Sequence, residues 1–388
     1  MGFVVGIGDQ NHPTSMDFSI RGSIFEAMMR SFCVLLISCF LHNVQAQVRW
    51  LPTEVSGSTG YWLTKVSMRD VPDGAAYGGY LGWMTKASNG WAAGSGGIEH
   101  GGFVGIHNTG AEEYGWQPQA GWTLRTGTTR LIGWSFSAGV AYNEKIYDEV
   151  NAPDLEAVGS HWNALARLGI TVANDSRISL GLGILHTSNG AIKRPNLGIN
   201  TPQANLIVRL VETPRRPVTL DVAERGTWRH AVAVGIGARD QFRVGDALGV
   251  QEVLAQSSYV RSHKYAWTGQ VSLVHHGAVG AVHPDNVAQD TTVVTVLDRL
   301  QPNVSAGWTW MLGRARMDLL FGAVLMNPTP DLVWRYNKAQ LWYTVHPSVD
   351  VLVSLRFSEV RADYASLGVA MRLGQTESNC STCPKWGF

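Results

Sequence analysis

The chain of 388 residues has little charge and no long apolar run. Charged residues make up 16% of it, against about 25% in an ordinary soluble domain, and 31 basic residues face 30 acidic ones. This excludes a nucleic-acid binder that relies on bulk positive charge, and also a charged disordered protein. No stretch of about 18 unbroken apolar residues is present, so the sequence also lacks a transmembrane helix.

Cysteine is scarce as well, with four residues in the whole chain. Cys33 and Cys39 lie in an apolar segment near the start, and the other two form Cys380-x-x-Cys383 in a polar tail, 375–388. A zinc or redox site is one interpretation of that pair, but no second pair or nearby His completes a ligand set. In an exported protein we predict a small disulfide in the tail.

What the sequence has in excess is glycine and tryptophan, with 43 and 15 residues. Outer-membrane barrels combine aromatic girdles at both membrane interfaces with walls that carry few charges. The composition therefore favours a transmembrane β-barrel. A soluble all-β sandwich, whose strands also alternate, is the alternative.

The amino-terminal region resembles a secretory signal. Met29-Arg30 supplies the positive charge, residues 31–41 the apolar core, and Val44-Gln-Ala46 the small-residue cleavage site. We therefore predict a signal peptide over 28–46 and export to the bacterial outer membrane.

Residues 1–27 precede that signal and contain no second apolar run, so we interpret them as an incorrectly assigned start of the chain. Cleavage after Ala46 would make Gln47 the first residue of the mature protein. A lipoprotein signal with a lipidated Cys39 is the alternative.

Several segments alternate with a period of two, apolar on one face and small or polar on the other. Arg316 and Asp318 occupy the polar face of one of them, where charges are costly in a sandwich core but suit a barrel lumen. With the turn signals between segments, the pattern predicts an all-β fold: a single antiparallel transmembrane β-barrel over 47–374, with about 12 strands. The clearest five segments are 131–142, 304–312, 314–325, 349–357 and 365–373.

One alternating strand ends in two residues with reactive side chains. From Ser179 to Gly190 the apolar even positions continue into His186 and Ser188, so an imidazole and a hydroxyl point the same way at the end of a lipid-facing strand. A His that accepts the serine proton makes the hydroxyl a nucleophile for acyl transfer. At the end of a lipid-facing strand, such a pair favours a lipid substrate.

These residues also resemble a known family. His186-Thr-Ser188-Asn189-Gly190, followed by Pro195-Asn196-Leu-Gly198-Ile-Asn200, is similar to the HxSN segment of the outer-membrane lipid A deacylases of the PagL type and their larger acyloxyacyl hydrolase relatives. The likeness covers about 130–212 and 350–374. It implies a serine esterase that hydrolyses an ester-linked acyl chain of lipid A, the lipid anchor of lipopolysaccharide.

The resemblance assigns roles. Ser188 is the nucleophile, His186 the base, and Asn189 helps to hold the oxyanion. In an ideal strand Asn189 faces away from Ser188, so its amide assists only if the backbone bends, which Gly190 permits. The backbone N–H groups around Gly190 are the alternative donors.

The chain departs from the family at one catalytic position. The family has a Glu twelve residues after the serine, and this chain has Asn200 there. An amide can fix the tautomer of an imidazole but cannot balance its positive charge. Three readings follow: Asn200 orients His186, an acid elsewhere replaces the Glu, or activity is low.

The remaining candidates are weaker. Lys193 and Arg194 follow the motif and could meet lipid A phosphates or serve as plain interface anchors. His275 and His276 point to opposite faces of a strand, so they cannot chelate one metal ion together. No cofactor, metal or nucleic-acid partner is predicted. The rival function is a catalytically inactive barrel that acts as a pore or a structural protein.

Overall fold

The computed structural model describes residues 51–63, 74–87, 96–127, 131–174, 177–213, 215–216, 225–240, 247–262, 264–280, 294–312, 315–326, 334–358 and 361–373. The predicted signal peptide, the residues before it and the cysteine-containing tail lie outside these ranges. No helix in the described part is long and apolar enough to span a membrane.

The described strands form two antiparallel barrels of eight strands each. The first closes because β1 pairs with both β2 and β8. It consists of β1 (Glu54–Gly60), β2 (Ala76–Ala87), β3 (Ile98–Asn108), β4 (Trp116–Thr126), β5 (Gly133–Tyr142), β6 (Trp162–Asn174), β7 (Ile178–Ser188) and β8 (Ile199–Arg209). A short β9 (Arg215–Arg216) pairs in parallel with the end of β2.

The second barrel follows in the chain and closes through pairing of its first and last strands, β10 and β17. It consists of β10 (Trp228–Arg239), β11 (Leu248–Val260), β12 (Tyr265–His276), β13 (Leu300–Leu312), β14 (Ala315–Val324), β15 (Arg335–His346), β16 (Val349–Ser358) and β17 (Arg361–Leu373).

The prediction of an all-β antiparallel fold is confirmed, but the single barrel of about 12 strands is wrong. All five alternating segments are strands: β5, β13, β14, β16 and β17. Alternation is a local signal, whereas the number of barrels depends on which distant strands pair, and no local pattern encodes that closure.

The two faces of the walls carry opposite chemistry. On β7 the even positions are exposed and apolar, and β10 repeats this arrangement in the second barrel. A polar interior with an apolar exterior is the reverse of a soluble sandwich and is typical of membrane barrels. The exposed apolar residues of these two strands are Ile178, Leu180, Leu182, Ile184, Val232, Val234 and Ile236.

Charged and polar side chains fill the lumens. Arg125 of β4 makes two hydrogen bonds of 2.6 Å to Glu54 of β1. Arg316 and Asp318, placed in a lumen by the alternation, are buried inside the second barrel. An eight-stranded barrel is just wide enough for its side chains to fill it, so the described interiors are packed polar cores. Further ion pairs there are Lys338–Glu252 and Arg239–Asp363, and His276 makes a hydrogen bond to Asp363.

The two ends of the molecule differ in the length of their connections. At one end lie 143–161 and 189–198 of the first barrel and the described parts 277–280 and 294–299 of the second, whereas 347–348 turn the chain at the other. Backbone hydrogen bonding between the two barrels brings their long connections to the same end. Because outer-membrane barrels have short periplasmic turns and longer extracellular loops, the long-loop end is the expected outer one.

Aromatic residues mark the opposite rim of the second barrel. A row of them crosses neighbouring strands in register, as a membrane-interface girdle requires. The row consists of Trp228, Tyr259, Trp267 and Trp308.

Candidate active site

Ser188 is the last residue of β7, at the long-loop end of the first barrel, and His186 lies two residues before it on the same outward face. Across the sheet, these two residues pair with Ala164 and Ala166 of β6. The small alanine side chains leave space over the strand. The imidazole and the hydroxyl are therefore half-buried on the wall of the barrel and do not point into its lumen.

Asn200 stands directly opposite His186 in the pairing of β7 with β8. Its side-chain Oδ1 lies 2.8 Å from Nδ1 of the imidazole. An amide oxygen can only accept, so Nδ1 donates its proton to it, and in the neutral imidazole Nε2 then carries the lone pair. Of the three readings of Asn200, this geometry fits the one in which the residue orients the ring. A neutral amide adds no charge to stabilise an imidazolium.

Two N–H groups from the connection 189–198 point at the hydroxyl of Ser188. Asn196 donates from Nδ2 to Oγ at 2.8 Å, and the backbone N–H of Gly190 donates to the same oxygen at 3.2 Å. Donors gathered at a nucleophile are well placed to serve an oxyanion that forms beside it. This position of Asn196 could not be predicted from the sequence, because only the fold of the connection brings the residue back to the strand end.

Asn189 is turned elsewhere. Its Nδ2 donates to Oγ of Ser160 at 3.0 Å and to the carbonyl oxygen of Lys193 at 2.8 Å. Both amide protons are thereby used, so the structure does not bring this side chain to Ser188 as a donor. Its contacts join the connection 189–198 to the longer connection 143–161.

Gly198 flanks His186 and Ser188 from the far side of the connection. It has a φ of +72°, and a Cβ there would lie 3.0 Å from Cε1 of His186 and 3.6 Å from Cβ of Ser188. The imidazole and the serine therefore border one small space that a side chain would occupy. A glycine satisfies both the backbone conformation and the close approach.

The connection 143–161 supports the site from behind. The backbone N–H of Leu197 donates to the carbonyl of Glu156 at 3.2 Å, and that of Gly198 donates to Ala157 at 3.1 Å. Residues of this connection also join an apolar cluster over the mouth of the first barrel. The buried members are Trp62, Ala111, Tyr114, Leu155, Ala157, Val158 and Ile199.

The two basic residues of the motif have different surroundings. Lys193 is exposed and Arg194 is half-buried. In the neighbouring connection, the pKa of Asp148 is lowered, first by the backbone N–H groups of Asn151 and Val150 and in smaller part by the charge of Lys193. Lys193 is thus accessible to an anionic headgroup, although a carboxylate already lies near it.

His275 and His276 take opposite sides of β12, as the alternation predicts. His275 is half-buried and bonds Gln251, whereas His276 is buried and bonds Asp363. Across the described ranges, no three His, Cys, Asp or Glu side chains are grouped to hold a metal ion.

A family model matches the part of the first barrel from β2 to β8. Residues 64–209 match the family described as lipid A 3-O-deacylase (PagL). The match contains the whole segment from His186 to Asn200 and ends with β8, so the second barrel lies outside it. The resemblance seen in the HxSN segment is thereby confirmed. No curated protein sequence matches the chain.

Solved structures give weaker similarities. The outer membrane enzyme PagL is 18% identical, covering 40% of this chain and 99% of its own, with a TM-score of 0.32. Pseudomonas aeruginosa OpdL is 10% identical over 82% of this chain and 97% of its own, with a TM-score of 0.26. A mutant Rh. blastica porin is 10% identical over 82% and 98%, with a TM-score of 0.20. At these scores no argument rests on the superpositions.

Proposed function

We propose that the chain is an outer-membrane serine esterase that hydrolyses an ester-linked acyl chain of lipid A. The observation that carries the proposal is the group formed by Ser188, His186, Asn200 and Asn196 on the outward face of the barrel. It lies at the long-loop end, where a lipid of the outer leaflet can reach it without leaving the membrane. The match of this barrel to the lipid A 3-O-deacylase family supports the same substrate.

In the first step, Oγ of Ser188 attacks the ester carbonyl while Nε2 of His186 takes the hydroxyl proton. The tetrahedral intermediate carries a negative oxygen, which Nδ2 of Asn196 and the N–H of Gly190 can stabilise by hydrogen bonds. When the intermediate collapses, the bond to the sugar oxygen breaks and His186 returns its proton to that oxygen. The products are an acylated Ser188 and a lipid A that has lost one acyl chain.

In the second step, water attacks the acyl-enzyme. His186 takes a proton from the water, and the same donors hold the second oxyanion. Collapse then releases a fatty acid and restores the serine hydroxyl. Asn200 keeps the imidazole in the tautomer that both steps need, and no cofactor takes part.

The rival function is a pore or a structural barrel without activity. Side chains occupy the lumens of both described barrels, so the lumens do not support a pore. Neither a pore nor a structural barrel requires the group formed by Ser188, His186, Asn200 and Asn196 at the outer wall. The proposal therefore stands on the outer wall, and it is tested there.

The test compares lipid A from cells that express the wild-type chain with lipid A from cells that express Ser188→Ala. The wild type should lower the lipid A mass by one acyl chain and release the matching fatty acid, while the alanine variant should do neither. Both proteins should show the heat-modifiable mobility of a folded barrel.

A matched control exists on the second barrel. There, Oγ of Ser257 lies 2.9 Å from Nδ1 of His230 on the outer face. Both residues lie near the short-turn end of the second barrel, at the end of the molecule opposite to Ser188. Ser257→Ala should therefore deacylate like the wild type. Full activity in Ser188→Ala, or loss of activity in Ser257→Ala, would overturn the assignment of the nucleophile.

A further inference from the structure

We infer that the second barrel positions the catalytic connection of the first barrel, and that Asp240 is the residue through which it acts. This inference rests on the function proposed above. It assigns a role to the half of the molecule that the deacylase family match does not cover.

Asp240 follows directly after β10 and makes two hydrogen bonds to the connection 189–198. Its backbone N–H donates to the carbonyl of Ala191 at 2.9 Å, and its Oδ2 accepts from the backbone N–H of Arg194 at 2.7 Å. One residue of the second barrel thus binds both sides of the turn between Ala191 and Arg194. Asp240 is 4% exposed, so water competes little for these bonds.

The turn is one that needs outside support. Gly190 has a φ of +66° and Ala191 a φ of +68°, and the second of these is unfavourable for a residue with a Cβ. Such conformations persist when the surrounding structure fixes them. The bond from Asp240 fixes the carbonyl of Ala191. That carbonyl lies two peptide units after the unit whose Gly190 N–H donates to Ser188, so the bond restrains the turn that presents this N–H.

The outer wall of the second barrel reaches the same place. A Cβ on Gly190 would lie 2.8 Å from Cβ of Ala365 on β17 and 3.4 Å from Cδ1 of Leu355 on β16. The connection is therefore enclosed between its own barrel and the second one. Packing against Ala365 and Leu355, together with the two Asp240 bonds, leaves the Gly190 N–H little freedom to turn away from Ser188.

Asp240 is itself held firmly. The preceding residue, Arg239, turns its guanidinium into the second lumen and donates to Asp363 at 2.5 Å. Arg356 of β16 bonds the same carboxylate. This buried group fixes the end of β10, and the next residue therefore has a defined position from which to hold the connection.

The experiment uses the full chain folded in detergent, with lipopolysaccharide in mixed micelles as substrate. Asp240→Ala removes the acceptor for Arg194 and should lower kcat about ten-fold while KM changes less than about two-fold, since the acyl chain and sugar still bind. Asp240→Asn keeps an acceptor oxygen and should recover most of the rate. Asp298→Ala is the matched control. Asp298 is an exposed carboxylate at the same end of the second barrel, and the hydrogen bonds described for its carboxylate all come from Thr295.

Hydrogen exchange gives a readout that does not depend on turnover. Backbone amides of 189–196 should exchange about ten-fold faster in Asp240→Ala than in the wild type, with the strands of both barrels unchanged. Equal exchange in the two proteins would overturn the inference, and so would an unchanged kcat in an active enzyme. A wild-type chain that deacylates nothing would overturn the proposed function instead. Hydrogen exchange of residues 189–196 would then test only the contact between Asp240 and the connection.

Discussion

Replacing Asn200 by aspartate should raise the rate of deacylation about ten-fold. Aspartate has the size of asparagine, so its carboxylate would occupy the place of the amide whose oxygen now lies 2.8 Å from Nδ1 of His186. During the attack by Ser188 the imidazole becomes positively charged. A carboxylate stabilises that charge, whereas an amide only orients the ring.

The size of the effect follows from the distance. Two unit charges about 4 Å apart attract by about 4 kcal/mol at an effective dielectric constant of about 20. His186 and Asn200 are only half-buried, so solvent and ions screen the pair and we expect about a third of that value. This corresponds to about 1.4 kcal/mol in the barrier, or a factor of about ten in kcat.

The assay measures fatty acid released from lipopolysaccharide by the wild type, Asn200→Asp, Asn200→Glu and Asn200→Ala under identical detergent conditions. Glutamate restores the family residue and should also raise the rate, although its longer side chain must fold to reach Nδ1. A flat or lower rate in both acidic variants would show that a missing charge does not limit the reaction. An alanine variant as active as the wild type would remove Asn200 from the mechanism.

Three further substitutions test other parts of the structure. Asn196→Ala removes a donor at Ser188 and should lower kcat by about 10² with little change in KM, measured by steady-state hydrolysis; a loss confined to KM would contradict the oxyanion role. Gly198→Ala places a Cβ 3.0 Å from the imidazole at a φ of +72°, so activity should fall while heat-modifiable folding persists, and an unimpaired variant would refute this geometry. Asp363→Asn leaves Arg239 and Arg356 without their shared carboxylate and should destabilise the second barrel by about 3–5 kcal/mol in denaturant titration, with Asp298→Asn, in an exposed turn, as the neutral control.

The strands could be read from the sequence because alternation is written into each of them. The segments in the carboxyl-terminal half have large apolar residues at every second position, and each proved to be a strand. In the glycine-rich β2 and β3 the side chains that reveal alternation are often absent, so the bounds of these strands cannot be read from the period of two.

The residues of the candidate site also fall into those that the sequence predicts and those that it does not. His186 and Ser188 share a strand, so their common face follows from the period of two. Asn200 faces His186 across the hairpin, and the resemblance to the family located it. Asn196 and Asp240 could not be found, because a turn of the connection and the placement of a second barrel bring them to the site, and neither leaves a periodic trace.

The residues that hold the barrels rigid are separate from the residues of the candidate site. The lumens hold the charged pairs that water cannot reach, and these fix the strands without any contact to substrate. On the β6 side, the cross-strand neighbours of Ser188 and His186 on the outer wall are alanines, which leaves room for the lipid substrate that we propose. In the proposed mechanism the connection 189–198 supplies the oxyanion donors, and Asp240 of the adjoining barrel bonds it at Ala191 and Arg194. By the inference drawn above, the second barrel then governs the rate at which the first one works.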